Sequence, residues 1–270
     1  MSALSLLTFR VTPDECLSGR ERDLLARLTS GEGGMAFGLE LLATPPFSID
    51  DPPHVGEPAR IDCSGRRVRM THAGFAAEVD PFDRRIWLHR ADPDDTFPLQ
   101  ATLRTTLASV LPLLGGVTVH CAGVVIDGSG HLFYGQSGAG KSTLAGRSPY
   151  PILSDEMVAL FERDGELVVS ATGFWGTLDR DDAPRGSFPL ASLTRIRKGD
   201  SLRIDRQQTP QSFLEALLVP AIPELWSAAL SVAWNVLAKT PHYELTWSLA
   251  SDPWKRLHEM FAVDSSESKE

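Results

Sequence analysis

The chain has 270 residues, 42% of them hydrophobic and 23% charged, with a net charge of −9. This is the composition of a soluble globular protein with a sizeable core, built as one large domain or two small ones. It argues against general nucleic-acid binding, which needs a basic surface, and no apolar stretch is long enough to span a membrane.

Residues 1–98 read as a β-rich region. The first ten residues lack the basic start and long apolar core of a signal peptide, and residues 5–11 predict a strand. Residues 21–28 read as a helix and 37–42 as a short apolar segment. Residues 60–63 and 67–70 flank the turn Ser64-Gly65-Arg66, and 75–79 and 85–89 flank Asp80-Pro81-Phe82-Asp83. Short strands with polar turns predict a small antiparallel sheet. Its sequence carries no evident chemistry: His54, His72 and His89 are too scattered for a metal site, and the region is at most a candidate for recognising an acceptor. Cys16, Cys63 and Cys121 are odd in number and not at metal spacing, as expected of reduced thiols in a cytoplasm.

Leu99, Leu103, Leu107, Leu111 and Leu114 recur at helical spacing before Gly115-Gly116. They predict a core helix packed against the sheet that follows, with a partner-binding leucine face as the alternative. Residues 118–126 and 131–134 are apolar runs around Asp127-Gly128-Ser129-Gly130, a hairpin. His120 lies in the first run, where a histidine alone is more often a core residue than a functional one.

The hairpin leads into Gly135-Gln136-Ser137-Gly138-Ala139-Gly140-Lys141-Ser142-Thr143, which fits the G-x-x-x-x-G-K-[ST] phosphate-binding pattern. Glycines admit backbone angles closed to other residues and let a phosphate come close. The loop N–H groups then point at the phosphate oxygens. Lys141 supplies a mobile positive charge, the Ser142 hydroxyl suits Mg²⁺, and a helix starting near Lys141 turns its positive end to the same anion. That helix is short, because Ser148-Pro149-Tyr150-Pro151 stops it.

Residues 152–160 read as one apolar strand interrupted by Asp155 and Glu156. Acids inside a strand are costly unless paired or bound to a cation. A nucleotide's Mg²⁺, held by one or two carboxylates and phosphate oxygens, accounts for them; an exposed strand end is the other reading. After a strand at 167–171 comes a long loop, 172–186, rich in glycine, acids and arginine. Arg180 or Arg185 could contact a transferring phosphate, with plain surface charge as the alternative. Phe174-Trp175 either line a site or pack the loop down. Residues 190–197 predict a strand, 211–219 and 224–237 helices separated by Pro220 and Pro223, and 243–249 an edge strand. Ser251-Asp252 would cap a last helix at 253–261, and 264–270 is a polar tail expected to be disordered.

His120 with its strand, the P-loop, and Leu153-Ser154-Asp155-Glu156-Met157-Val158 closely behind it resemble the C-terminal catalytic domain of HPr kinase/phosphorylase, whose core is shared with phosphoenolpyruvate carboxykinase. The resemblance covers roughly residues 117–178; the remainder resembles, more loosely, HPr-kinase-like proteins found beside peptide-modification genes, including lasso peptide kinases. It implies that Lys141 and the loop amides bind phosphates and that Ser142 and Glu156, beside Asp155, hold Mg²⁺. It also implies that Asp155 takes the proton of the attacking hydroxyl, that His120 supports that site, and that the protein assembles with itself. The sequence departs from the family at Thr143, where the family has an acid, at Glu156 for Asp, and at Met157 for Arg. Thr143 and Met157 weaken the expectation of a reverse, phosphorylase activity.

The expected fold is α/β, a P-loop core of the HPr kinase/phosphoenolpyruvate carboxykinase type at 99–263 behind the β-rich region 1–98, with the tail 264–270. The expected function is cytoplasmic, ATP- and Mg²⁺-dependent transfer of a phosphoryl group to a hydroxyl, a serine of a protein or peptide. A small-molecule kinase on the same core and a non-catalytic ATP sensor are the alternatives. A P-loop reads phosphates and not bases, so GTP and pyrophosphate stay open as donors.

Overall fold

The computed structural model describes residues 7–28, 35–178, 180, 182–207 and 211–267. Contacts divide the chain into two units, residues 1–117 with 219–231, and residues 118–218 with 232–270. Together they make a mixed α/β protein with two sheets.

The first unit holds β1 (Leu7–Thr12), α1 (Gly19–Leu28), β2 (Met35–Leu42), β3 (Arg60–Ser64), β4 (Arg67–His72), β5 (Phe75–Asp80), β6 (Arg85–Arg90) and α2 (Phe97–Val110). The sheet order is β1-β2-β6-β5-β4-β3. Strands β3 to β6 pair antiparallel, as expected. Strands β1 and β2, and β2 and β6, pair parallel, so the sheet is mixed rather than antiparallel. For β1 and β2 the cause is α1, which carries the chain between them, the crossover a parallel pair needs. A reciprocal cap starts that helix: Ser18 N–H donates to Glu21 at 2.9 Å and Glu21 N–H donates to the Ser18 hydroxyl at 3.3 Å.

Helix α2 buries Leu99, Leu103 and Leu107 and packs on β5 and β6. It is a core helix, but its core is that of the first unit and not that of the P-loop sheet. The division by contacts accordingly falls after it, at 117/118, where the sequence reading placed a boundary before it at 98/99. A 3₁₀ turn, Leu111–Leu114, continues the helix, and Gly115 ends it in the left-handed region at φ 72°. The histidines of this unit have separate jobs. His72 stacks on Phe75, and His89 Nδ1 lies 3.2 Å from the Leu42 carbonyl. Among the described residues no group of three or more His, Cys, Asp or Glu could hold a metal.

Into the second unit run β7 (Gly116–Ile126), β8 (Ser129–Tyr134), α3 (Lys141–Gly146), β9 (Ile152–Ser154), β10 (Met157–Arg163), β11 (Glu166–Ala171), β12 (Ser187–Lys198), β13 (Arg203–Arg206), β14 (Leu217–Leu218), α4 (Trp226–Lys239), β15 (His242–Trp247) and α5 (Trp254–Glu267). The sheet order is β11-β10-β7-β8-β12-β15-β13, with β9 and β14 also on β7. Because β11 also pairs with β12, the strands β11, β10, β7, β8 and β12 close into a ring. Strand β12 runs parallel to β8 on one side and β15 on the other. Leu144 and Ala145 of α3 pack into a core with Phe133, Tyr243, Leu245, Trp247, Trp254 and Leu257.

Several expectations change here. The single strand at 152–160 is two, β9 and β10, with Asp155 and Glu156 at the break. Strand β15 is interior, and the edge is β13. Residues 211–219 form a 3₁₀ turn, Gln211–Ala216, and then β14, instead of a helix. Helix α5 runs on to Glu267, so the expected disordered tail is helical over its first residues, while 268–270 lie outside the described residues.

Candidate phosphate-binding site

The sequence puts a hairpin, β7 and β8, directly before the loop, and the structure keeps it. The loop leaves β8 at Gly135. A Cβ there would sit 2.8 Å from the Ile196 carbonyl, so β12 can lie against the loop only with glycine in place. Gly138 and Gly140 stand at φ 75° and φ 103°, angles that L side chains rarely adopt. A Cβ on Gly140 would also meet the Trp247 ring at 3.3 Å. Three glycines are therefore required by backbone angle or by close approach. The loop closes on itself through Ala139 N–H to the Gln136 carbonyl at 3.1 Å, and α3 starts with Leu144 N–H on the Gly140 carbonyl at 2.8 Å.

Lys141 folds back over the loop. Its ammonium donates to the Gly135 carbonyl at 2.9 Å and to the Gln136 carbonyl at 3.4 Å. Burial pushes its pKa below the usual lysine value, opposed by the nearby Glu156 carboxylate. Burial likewise pushes the Cys121 thiol up, which keeps it protonated and unreactive. Ser142 is partly buried at the start of α3, and Thr143 is exposed.

His120, on β7, and Glu156, at the break between β9 and β10, come together: Nε2 and Oε2 are 3.8 Å apart, with 40% and 30% of the side chains exposed. The Cys121 N–H on the Glu156 carbonyl at 3.2 Å fixes this pairing from the backbone. Asp155 turns the other way. It is 1% exposed, and both its oxygens are occupied. Oδ1 accepts from Gly176 N–H at 2.8 Å, and Oδ2 accepts from the N–H groups of Thr177 at 2.9 Å and Leu178 at 3.2 Å. The acid pair is thus one buried carboxylate and one half-exposed one. Met157, where the resemblance leads one to expect an arginine, is 1% exposed and part of the core.

Of the two arginines proposed from the 172–186 loop, Arg180 is bonded to Asp182, Nε to Oδ1 at 2.7 Å, and Arg185 is exposed. Neither has a contact to the P-loop among the described interactions. Phe174 is buried at 3% exposure, and Trp175 packs on the core of the second unit.

The sequence reading missed a second wall. A cleft of about 460 Å³ is lined by Gln136, Ser137, Gly138 and Ala139 on one side and by Arg195, Ile196, Arg197 and Lys198 of β12 on the other. Arg195 and Arg197 fall on one face of the strand by its two-residue period. Both reach Glu244 on β15, at 4.0 Å and 2.8 Å. The alternation of Arg195 and Arg197 about the buried Ile196 was the available signal.

The residues present fit a nucleotide and its cation. The glycine loop leaves room for phosphates, Lys141 is held beside it by loop carbonyls that an anion can replace, and Ser142 and Glu156 are oxygen donors of the kind Mg²⁺ takes alongside phosphate oxygens. No family model matches the sequence, and no curated protein matches it. Among solved structures, the Hpr(Ser) kinase/phosphatase from Coxiella burnetii is similar at 13% identity with a TM-score of 0.34, over 57% of this chain and 99% of that one. A likeness so distant assigns no activity.

Proposed function

We propose that the protein is a phosphotransferase that moves the γ-phosphoryl group of ATP to a hydroxyl, that of a serine in a protein or peptide. The observation that carries this is the convergence of Lys141, at the end of a glycine loop built for phosphates, with the His120–Glu156 pair 3.8 Å apart, close enough for Glu156 to act on the lysine's charge. A module that only bound ATP would need the loop, Lys141 and at most one acid for the cation, with no use for a histidine set against that acid.

In the step envisaged, the acceptor oxygen attacks the γ-phosphorus and the bond from that phosphorus to the β–γ bridging oxygen breaks. The electron pair leaves on ADP, and the hydroxyl proton passes to a carboxylate of the acid pair. Lys141 and the loop amides hold the phosphates and offset charge in the transition state. Mg²⁺, when bound, would neutralise charge on the β- and γ-phosphates. His120 orients Glu156.

The test is transfer of ³²P from γ-labelled ATP with Mg²⁺, using serine-bearing proteins, small peptides and simple metabolites as acceptors. Label on a serine of a polypeptide is expected, and its loss in Lys141→Met. Label on a metabolite alone would make the enzyme a small-molecule kinase. No label on any acceptor, with ATP still bound, would overturn the reading in favour of a sensor.

A further inference from the structure

Resting on that phosphotransferase reading, we propose that the acid pair is divided between two jobs: Asp155 is a positioning residue that clamps the start of the 172–186 loop beside the P-loop, and Glu156 is the carboxylate that meets the cation and the acceptor. The assignment inverts the expectation that Asp155 is the base, and the geometry is its ground. A carboxylate that takes a proton in the reaction must reach the acceptor oxygen. Asp155 is 1% exposed, and its two oxygens accept three backbone N–H groups at 2.8, 2.9 and 3.2 Å. Glu156 has 30% of its side chain exposed and Oε2 at 3.8 Å from His120 Nε2.

The clamp is wider than one residue. Ser154 donates its hydroxyl to the Phe174 carbonyl at 2.7 Å and accepts from Glu156 N–H and Met157 N–H, both at 2.9 Å. Thr172 donates its hydroxyl to the Met157 carbonyl at 2.6 Å. Residues 154–157 and 172–178 are thus laced together although no strand pairing joins Gly176, Thr177 and Leu178 to anything. The lacing ends on the helix that follows the P-loop: a Cβ on Gly146 would meet Leu178 Cδ2 at 3.2 Å. Residue 176 sits between the two acids. A Cβ there would lie 2.9 Å from Glu156 Oε2 and 3.2 Å from Asp155 Oδ2, so glycine lets both carboxylates flank the loop.

The experiment uses the full chain as wild type, Asp155→Asn and Glu156→Gln. It reads amide hydrogen exchange over 172–178, ATP affinity with and without Mg²⁺, and transfer kinetics with the acceptor varied. The asparagine keeps the shape but turns an N–H₂ toward backbone donors, so exchange at Gly176, Thr177 and Leu178 should rise about tenfold or more, the loss of about one hydrogen bond to a charged group. The acceptor KM should rise, with kcat falling less than KM rises. Glu156→Gln should leave exchange unchanged, remove the gain in ATP affinity from Mg²⁺, and lower kcat about a hundredfold or more. Unchanged exchange with abolished kcat in Asp155→Asn would return the base to Asp155 and overturn the division, as would wild-type kcat and Mg²⁺ response in Glu156→Gln. If Asp155→Asn does not fold, the wild type decides the clamp: those three loop amides must exchange slowly, and fast exchange sinks it. A wild type that transfers no phosphate fails the phosphotransferase reading, while exchange and the Mg²⁺ dependence of ATP binding still decide the division.

Discussion

Lys141 concentrates the electrostatics of the site in one side chain. The residue is 7% exposed and its ammonium rests on two loop carbonyls, and burial depresses its pKa from the usual 10.5. An anion in the loop favours the charged form and so opposes that depression. Lys141→Met keeps the length and removes the charge, so ATP affinity should fall about ten- to a hundredfold, the equivalent of a hydrogen bond to a charged group at about 1.5–3 kcal/mol. Isothermal titration calorimetry measures this. The sign of the pH dependence follows from linkage. Binding favours the protonated lysine, so affinity falls as pH rises through the depressed pKa, below the ordinary lysine range, and the fall is absent in Lys141→Met. Without ligand the sign reverses. The unfolded lysine holds its proton more tightly than the folded one, so stability rises with pH over the same window. An affinity that rises with pH there would refute the burial argument.

Strand β12 shows what an element adds that no single motif carries. Its register sets Arg195 opposite Glu244 of β15, and Arg195 and Arg197 share the wall of the 460 Å³ cleft with Gln136–Ala139. Replacing both by Gln should weaken ATP binding several-fold by removing two cations beside the phosphate loop. It should leave the melting temperature within a few degrees, since Arg197 is exposed and the partly buried Arg195 pair is long at 4.0 Å, and such pairs contribute about 0–1 kcal/mol; calorimetry and thermal melts together separate the two effects. Unchanged affinity would place the nucleotide wholly on the other side of the loop. At this scale the sequence was legible where one face or one turn decides the structure: the β7–β8 hairpin, the glycine loop before α3 and the buried Leu99, Leu103 and Leu107 of α2 stand where periodicity and glycine put them. It was illegible where distant residues decide. The break at Asp155 depends on amides at 176–178, more than twenty residues on. The parallel pairing of β1 with β2 depends on a crossover helix. Strand β13, Arg203–Arg206, is a polar edge with no apolar alternation to betray it. That His120, Lys141 and Glu156 come together was readable from the order of the motifs. Which of the two acids is buried was not, because adjacent side chains on an irregular segment have no fixed period.

The whole molecule distributes its acid sensitivity unevenly. His131, on β8, is 3% exposed, stacks on Phe261 of α5 at 4.1 Å, and has Nδ1 2.8 Å from the Ser192 hydroxyl of β12. It ties three elements of the second unit together, and burial pushes its pKa down to about 4. His242 of β15 is also buried, and its pKa is likewise pushed down to about 4 by burial. Both are in the second unit, with the phosphate loop. A histidine whose folded pKa lies below its unfolded value of 6.5 contributes nothing at neutral pH. From pH 6.5 downward the unfolded chain binds the proton that the folded chain refuses, so stability falls, reaching a loss of about 3 kcal/mol for His131 near pH 4. Thermal melts from pH 7 to pH 4 should show the second unit weakening first, with ATP binding lost alongside it. His131→Gln removes the titration and keeps a polar group near Ser192. It should be less stable than the wild type at pH 7, where the aromatic stack is missing, and the gap should narrow or invert by pH 4. A gap that stays constant across that range would mean that His131 titrates alike in the folded and unfolded chains, and the acid weakness would then have to come from elsewhere.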